Sequence, residues 1–159
     1  MTVSLWRISP DTPAYTSDDL SGIGAKTTGG RWNRKNNAVV YASISIALAC
    51  LETVVHLPSG LPLNRYLVRI DVPDPVWASA QAFNAAVPSS VGWDAEPVGA
   101  VSLDEGDKWL ASLSSALLLV PSVIVAEELN VLINPAHPDS KLIKATKIRK
   151  FAYDPRLHS

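Results

Sequence analysis

The hydrophobic and polar positions of this chain predict a set of short β-strands with few helices between them. Alternating positions and short apolar runs rich in β-branched side chains are typical of strands. Such patterns occupy 3–8, 31–33, 38–42, 65–72, 117–125, 129–133 and 148–153. Because strands and helices do not alternate regularly, we predict an α+β fold with a mixed or antiparallel sheet rather than a doubly wound one.

Two segments are predicted to be longer helices. Ser43 or Ser45 can cap a helix that runs to about Leu57, and its sequence is apolar on nearly every side, which predicts a buried helix. The tetrapeptide 102–105 (SLDE) has the spacing of a capping box and predicts a helix that runs to about residue 112.

Two other segments are predicted to be irregular. Residues 11–24 are rich in Ser, Asp, Thr, Pro and Gly, with a short helical turn near 18–20. Residues 73–99 are rich in Pro, Ala, Ser and Trp, and we expect one helical turn within them; we call this stretch the lid segment, because long irregular segments in compact domains are often functional lids. With no repeat and no linker, we expect one compact domain over 1–159.

The charge balance excludes one class of function. The chain has 14 basic and 15 acidic side chains and a formal net charge of −1, whereas a general nucleic-acid binder normally carries a basic excess. Only 18% of the residues are charged and 47% are hydrophobic, so either a partner or a second copy covers part of the surface, or Ser, Thr and Asn cover it. The basic residues at 141–150 are either a solvated face or a surface that attracts an anionic ligand or an acidic partner.

The cysteine content and the apolar runs bear on the compartment. Cys50 is the single cysteine, so no intrachain disulfide can form, which fits a reducing cytoplasm. The first residues lack the pattern of a signal peptide, and the longest apolar run is interrupted by Pro121 and Ser122, so we expect neither export nor a membrane span. The histidines and the cysteine lack the spacing of a metal site, and we expect no metal.

Glu52 is the sharpest chemical signal in the chain. A carboxylate on a largely apolar helix is expensive to bury unless it is paired or hydrogen-bonded. Glu52 is therefore either a functional acid, a partner of a core arginine, or part of an exposed stripe.

Three more candidates precede Glu52 in the sequence, and one of them lies on the first predicted strand. Arg31 follows Gly29 and Gly30, where a guanidinium could bind a phosphate or lie on the surface. Arg7 could serve the same role or form a structural salt bridge. Tyr41 ends a strand and could stack on a planar base, or it could be a core residue.

Ser122 interrupts a predicted buried strand. Its hydroxyl could reach a ligand or satisfy the backbone of a bulge. No GxSxG motif surrounds it, so we do not interpret it as a nucleophile.

Six motifs together resemble the RES-domain family, the toxin halves of bacterial RES–Xre toxin–antitoxin modules. They follow in the family's order along nearly the whole chain: GGRWN, VVYAS, ALACLE, LLVPSVIV, ELNVLINPAHPD and FAYDPRL. The arginine, glutamate and serine that name the family correspond to Arg31, Glu52 and Ser122. The family's tyrosine corresponds to Tyr41, and Asn134 lies in the NPAHPD segment.

The resemblance implies a fold similar to ADP-ribosyltransferases and an enzyme that uses NAD⁺ as substrate, without a further cofactor. The implied activity is cleavage of the nicotinamide–ribose bond, which depletes NAD⁺ and arrests growth. Glu52 would stabilise the charge that develops on the ribose. Arg31, with Arg7 or Lys26, would bind the diphosphate, and Tyr41 would stack on the nicotinamide.

The resemblance also implies further binding residues and partners. Ser122 and Asn134 would contribute to substrate binding. An Xre-type antitoxin would cover the active site, and the toxin would be a homodimer within that complex. The acceptor of the ribose stays open between water, phosphate and a protein side chain. The alternatives are an ADP-ribosyltransferase that modifies a host protein and a non-catalytic module that only binds the antitoxin.

Overall fold

One seven-stranded sheet organises the computed structural model, which describes residues 1–57 and 59–157. The strands are β1 (Thr2–Ser9), β2 (Val40–Ser43), β3 (Tyr66–Pro73), β4 (Gln81–Ala82), β5 (Leu117–Pro121), β6 (Leu129–Ile133) and β7 (Lys144–Lys150). Their order across the sheet is β4-β5-β6-β2-β1-β3-β7, and all neighbouring pairs are antiparallel except β4 and β5.

Helices and turns fill the connections between the strands. The helices are α1 (Ile23–Thr28), α2 (Ile46–Val54), α3 (Asp74–Ala78) and α4 (Ala100–Ser112), and short 3₁₀ turns lie at Pro88–Ser90, Pro138–Leu142 and Pro155–Leu157. A mixed sheet with a few helices confirms the α+β prediction. Among the described residues, no helix is long and apolar enough to cross a membrane.

The alternating strands place the hydrophobic core on the sheet. β1 and β3 pair along their whole length, from Thr2 opposite Pro73 to Ser9 opposite Tyr66. Their inward side chains, together with those of the central strands, are almost fully buried: Leu5, Val40, Val68, Ile70, Val72, Val131 and Ile133. Full burial of such a side chain contributes about 1.5–3 kcal/mol relative to exposure, so this cluster fixes the central strands.

Helix α2 begins where one of the two candidate caps predicts. The side chain of Ser45 accepts the backbone N–H of Leu48, which satisfies an otherwise unpaired donor of the first turn. The prediction of a buried helix is wrong, because within α2 only Leu48 and Ala49 are buried and Leu51 is exposed. The helix packs one side on β1 and β2, and its low polarity on the other side does not reflect burial. It also ends at Val54, earlier than predicted.

Helix α4 begins before the predicted capping box. Gly99 occupies the cap position and no side chain caps the helix, while Ser102 lies inside the first turn with a buried hydroxyl. The capping box is therefore wrong, whereas the end at Ser112 is confirmed. Gly106 is required where α4 meets the loop before β2, because a Cβ there would come 1.7 Å from the carbonyl oxygen of Trp32.

Several shorter predictions need correction. Residues 31–33 form a turn closed by one bridge between Gly30 and Asn33, and 18–20 are not helical. The predicted strand at 117–125 ends at Pro121, where the lost donor interrupts the ladder. The last strand is β7 rather than 148–153, because the frequent Lys and Arg side chains obscure its alternation. The lid segment holds α3 and the short strand β4 besides its irregular parts.

Candidate active site

A cavity of about 680 Å³ opens beside the centre of the sheet, within the size range of small-molecule sites. Its walls come from β1, β2, α2, the loop at 28–32, part of the lid segment and the turn after β5. Four of the side chains proposed from the sequence line it: Arg7, Arg31, Tyr41 and Glu52.

Glu52 is held in the cavity wall by two side-chain donors. Its Oε1 accepts a hydrogen bond from Ser122 Oγ at 2.7 Å and another from Asn130 Nδ2 at 2.7 Å. Hydrogen bonds to an ionised carboxylate are short and roughly twice as strong as neutral ones, so this pair fixes the orientation of the group. Among the described residues, Oε2 accepts no hydrogen bond, which leaves that oxygen available to a ligand.

Ser122 is fully buried and does not itself line the cavity. Besides donating to Glu52, its Oγ accepts the backbone N–H groups of Ile124 at 3.1 Å and Val125 at 3.2 Å. One hydroxyl thus orders the turn after β5 and positions the carboxylate at the same time.

Asn130 is a site residue that the sequence reasoning missed. It lies on β6 directly opposite Ser43 of β2, and its Oδ1 accepts a hydrogen bond from Ser43 Oγ at 2.7 Å. This second bond fixes the amide so that its Nδ2 points at Glu52. The available signal was an asparagine within the apolar strand LNVLI, where an amide needs a polar partner.

Arg31 lines the cavity with its guanidinium bound to the lid segment. Its Nη1 donates to the carbonyl oxygens of Trp93 at 3.2 Å and Ala95 at 2.9 Å, and its Nη2 donates to Glu96 Oε2 at 2.7 Å. The Arg31 side chain is 16% exposed and that of Glu96 is 73% exposed. Arg31 therefore ties the edge of the lid segment to the cavity.

Arg7 is the second cation of the cavity. It donates to the carbonyl oxygen of Asp19 at 2.8 Å and to Ser9 Oγ at 3.1 Å, and among the described residues it forms no salt bridge. Burial lowers the pKa of Arg7, and the nearby charge of Asp19 opposes this shift. A guanidinium still keeps its proton at neutral pH, so Arg7 supplies positive charge without a bonded carboxylate.

Tyr41 presents its ring to the cavity while its hydroxyl holds the GGRWN turn. The hydroxyl donates to Asn33 Oδ1 at 2.6 Å and accepts the N–H of Trp32 at 3.0 Å. Gly30 packs against this hydroxyl. A Cβ at position 30 would come 2.7 Å from the hydroxyl oxygen, so a larger residue would not fit there. Burial raises the pKa of Tyr41, so the phenol stays neutral.

The structure does not bring Asn134 to the cavity. Its Nδ2 donates to the carbonyl oxygen of Leu110 at 3.0 Å, and its Oδ1 accepts the N–H of Ala136 at 3.1 Å. Both ends of the amide thus hold the turn after β6. In the part of the chain that the structure describes, no group of three or more His, Cys, Asp or Glu side chains could hold a metal ion.

Comparisons with known proteins identify the family of this chain. The family model described as RES domain matches residues 4–154. The chain is 64% identical to the "Prs ADP-ribosylating toxin" of Sphingobium sp. strain YBL2, over 99% of this chain and 98% of that protein. It is 40% identical to a "Toxin Res" of Pseudomonas putida, over 96% and 98%. A "Toxin Res" of Yersinia enterocolitica is 37% identical, over 90% and 93%. The chain therefore belongs to the RES domain family, whose relatives named here are toxins.

Proposed function

We propose that this chain is an enzyme that cleaves the nicotinamide–ribose bond of NAD⁺ and transfers the ADP-ribose to a host protein. The observation that carries the proposal is the carboxylate of Glu52, fixed through Oε1 in a cavity that also holds two arginines. The Sphingobium relative is named for ADP-ribosylation of Prs, and the identity of 64% over nearly both chains makes Prs the first acceptor to test.

Glu52 has the chemistry that this bond cleavage needs. Positive charge develops on the ribose as nicotinamide leaves, and a preorganised carboxylate stabilises such an oxocarbenium-like transition state. Two donors hold Oε1, so Glu52 does not have to reorganise when the charge develops. Oε2 is free to contact the ribose.

Two arginines and an aromatic ring of the cavity can bind the diphosphate and the nicotinamide of NAD⁺. NAD⁺ carries an anionic diphosphate, and Arg7 is the cavity cation without a bonded carboxylate, so we assign the diphosphate first to Arg7. Arg31 also binds the diphosphate when its guanidinium separates from Glu96. The Tyr41 ring is available to the cationic nicotinamide through a cation–π contact.

The proposal differs from simple NAD⁺ degradation in the acceptor. If water takes the ribose the enzyme is a glycohydrolase, and if inorganic phosphate takes it the enzyme is a phosphorylase. Both of these activities deplete NAD⁺ without marking a protein. In either case we expect growth arrest on expression, with release by an Xre-type antitoxin that covers the cavity of a homodimeric toxin.

The test is an incubation of the purified chain with NAD⁺, alone, with phosphate, and with Prs from the same host. Mass spectrometry identifies the products and the mass of intact Prs. We expect nicotinamide release and a gain of one ADP-ribose unit or more on Prs. Unmodified Prs together with free ADP-ribose or phosphorylated ADP-ribose would replace the transferase by a degrading enzyme, and NAD⁺ that stays intact would refute both.

A further inference from the structure

Exposed hydrophobic side chains gather where the cavity meets the solvent. Val55 is 55% exposed, Val98 38%, Val123 37% and Ile124 39%, and all four line the cavity that contains Glu52. Single exposed hydrophobic residues are normal on a protein surface. Several of them around one catalytic cavity suggest instead a surface that contacts another molecule.

Three of these side chains are fixed relative to Glu52. Val55 lies three residues after Glu52, so the two lie on the same side of the chain at the end of α2. Val123 and Ile124 belong to the turn that Ser122 organises, and the same Ser122 hydroxyl donates to Glu52. Because all three also line the cavity, we expect a molecule that approaches the carboxylate from the solvent on this side to contact them.

We propose that Val55, Val123 and Ile124 form an acceptor rim, the surface on which the protein acceptor docks while one of its side chains reaches the ribose beside Glu52. The proposal rests on the transferase function proposed above. In the transfer, the bond between nicotinamide nitrogen and ribose C1′ breaks, and its electron pair leaves with neutral nicotinamide. A lone pair of the acceptor side chain forms the new bond to C1′, and the acceptor's proton passes to the solvent.

The chemistry of the rim favours a protein over a part of NAD⁺. The cations that suit the diphosphate lie in the cavity wall, whereas the rim carries no charge of its own and offers only aliphatic side chains. Desolvated aliphatic and aromatic contacts at the centre of a patch are typical of protein–protein interfaces.

Acidic residues in the turn after β5 indicate the charge that the protein acceptor should carry. Glu127 and Glu128 follow Ile124 in the same turn, and among the described residues neither forms a salt bridge. Acidic groups at the edge of an apolar patch favour a partner with basic residues around its own apolar contact. The acceptor surface should therefore be apolar at its centre and basic at its border.

The experiment measures two rates with the same proteins. One is ADP-ribose transfer to Prs, and the other is nicotinamide release without a protein acceptor. We expect Ile124→Ala and Val55→Ala to lower kcat/KM for the transfer about fivefold or more, since truncated interface anchors commonly lose that much. Nicotinamide release should fall by a smaller factor than the transfer, since both substitutions leave Glu52, Arg7 and Arg31 in place.

Matched controls separate docking from a general loss of apolar surface. Ile148 on β7 is 42% exposed, close to the 39% of Ile124, and it does not line the cavity. Ile148→Ala should leave both rates at wild-type values. Val91→Ala is the corresponding control for Val55, since Val91 is also exposed and does not line the cavity.

Each outcome decides between the proposals. If the wild type modifies Prs and both rim variants modify it equally well, the acceptor docks elsewhere and the acceptor rim is refuted while the transferase stands. If the rim variants lose both rates equally, the rim supports NAD⁺ or the fold and the proposal is again wrong. If the wild type releases nicotinamide but leaves Prs unmodified, the transferase function and the acceptor rim fail together.

Discussion

At the scale of single residues, Ser122 both positions the Glu52 carboxylate and holds the turn after β5. It donates to Glu52 and accepts two backbone N–H groups, all from a fully buried position. A buried donor or acceptor that loses its partner costs about 1–3 kcal/mol, so one serine contributes both to the stability of the turn and to the geometry of the carboxylate.

Replacing Ser122 by alanine should therefore affect turnover and stability together. We expect Ser122→Ala to lower kcat for nicotinamide release about 10- to 100-fold and the free energy of unfolding by about 1–3 kcal/mol. Steady-state kinetics and urea unfolding measure the two effects. Ser114→Ala, at an exposed serine that bonds Gln81, is the control and should change neither. A rise in KM with kcat unchanged would contradict a positioning role.

The hydroxyl of Tyr41 connects the wall of the cavity to the GGRWN turn. Tyr41→Phe keeps the ring but leaves Trp32 N–H and Asn33 Oδ1 without that partner, which should lower the free energy of unfolding by about 1–3 kcal/mol. Guanidinium unfolding curves measure this loss. Nicotinamide release should fall less in Tyr41→Phe than in Tyr41→Ala, because the ring face is retained.

The raised pKa of Tyr41 adds a pH dependence to the same comparison. Burial favours the neutral phenol in the folded state, so the stabilisation is fully present below the unfolded pKa of about 10 and declines as the pH rises above it. The difference in stability between wild type and Tyr41→Phe should therefore shrink above about pH 10. A difference that grows with pH in that range would contradict the raised pKa.

At the scale of elements, the lid segment is joined to the cavity by one arginine and an aromatic cluster. Arg31 donates to two carbonyl oxygens and to Glu96. The ring of Trp32 lies 4.8 Å from that of Phe83 and 6.2 Å from that of Trp93, measured between centroids. The aromatic rings hold the segment, and at its edge the exposed Glu96 side chain pairs with the mostly buried Arg31.

Glu96 should compete with an anionic substrate for Arg31. We expect Glu96→Gln to lower KM for NAD⁺ about two- to fivefold, since an exposed pair contributes about 0.2–1 kcal/mol and its loss frees the guanidinium charge. Initial rates over a range of NAD⁺ concentrations measure this effect. Asp94→Asn removes the same charge two residues away, at an exposed residue with no salt bridge among those described, and should leave KM unchanged. A higher KM in Glu96→Gln would contradict the competition.

The elements that the sequence predicted well are those with a local hydrophobic pattern. Strands β1 and β3 alternate and β6 is apolar apart from Asn130, and the predicted boundaries agree to within one residue at each end. The burial of α2 and the cap of α4 were wrong because both depend on what packs against the helix. An apolar helix at the edge of a cavity keeps an exposed side, and a Ser-x-x-Glu motif caps a helix only where the chain turns at that serine.

The site residues with a local sequence signal were predicted, and those that depend on contacts between distant elements were missed. Glu52 was predicted because a carboxylate in an apolar helix is costly to bury without a partner. The RES resemblance grouped it with Arg31, Tyr41 and Ser122. Asn130 was missed because its partners lie on other elements: Glu52 is 78 residues away along the chain. The contact between Arg31 and Glu96 spans 65 residues, and no local pattern records such a pairing.

At the scale of the whole molecule, the strand order explains why one cavity collects the candidate residues. β6, β2 and β1 are neighbours at the centre of the sheet, and α2 packs on β1 and β2. Asn130, Tyr41 and Arg7 come from these three strands, while Glu52 comes from the helix that covers them. An NAD⁺-cleaving enzyme needs a carboxylate at the ribose and a cation at the diphosphate, and this topology brings both to one place.

The central claim is that the charge of Glu52 drives cleavage of the nicotinamide–ribose bond, and Glu52→Gln tests it most directly. The amide oxygen of glutamine can still accept from Ser122 and Asn130, so the variant removes the charge while it keeps the fixed geometry. We predict that nicotinamide release from NAD⁺ falls by about 100-fold or more, while the free energy of unfolding stays within about 1 kcal/mol of the wild-type value. A folded Glu52→Gln protein that releases nicotinamide at the wild-type rate would contradict the claim.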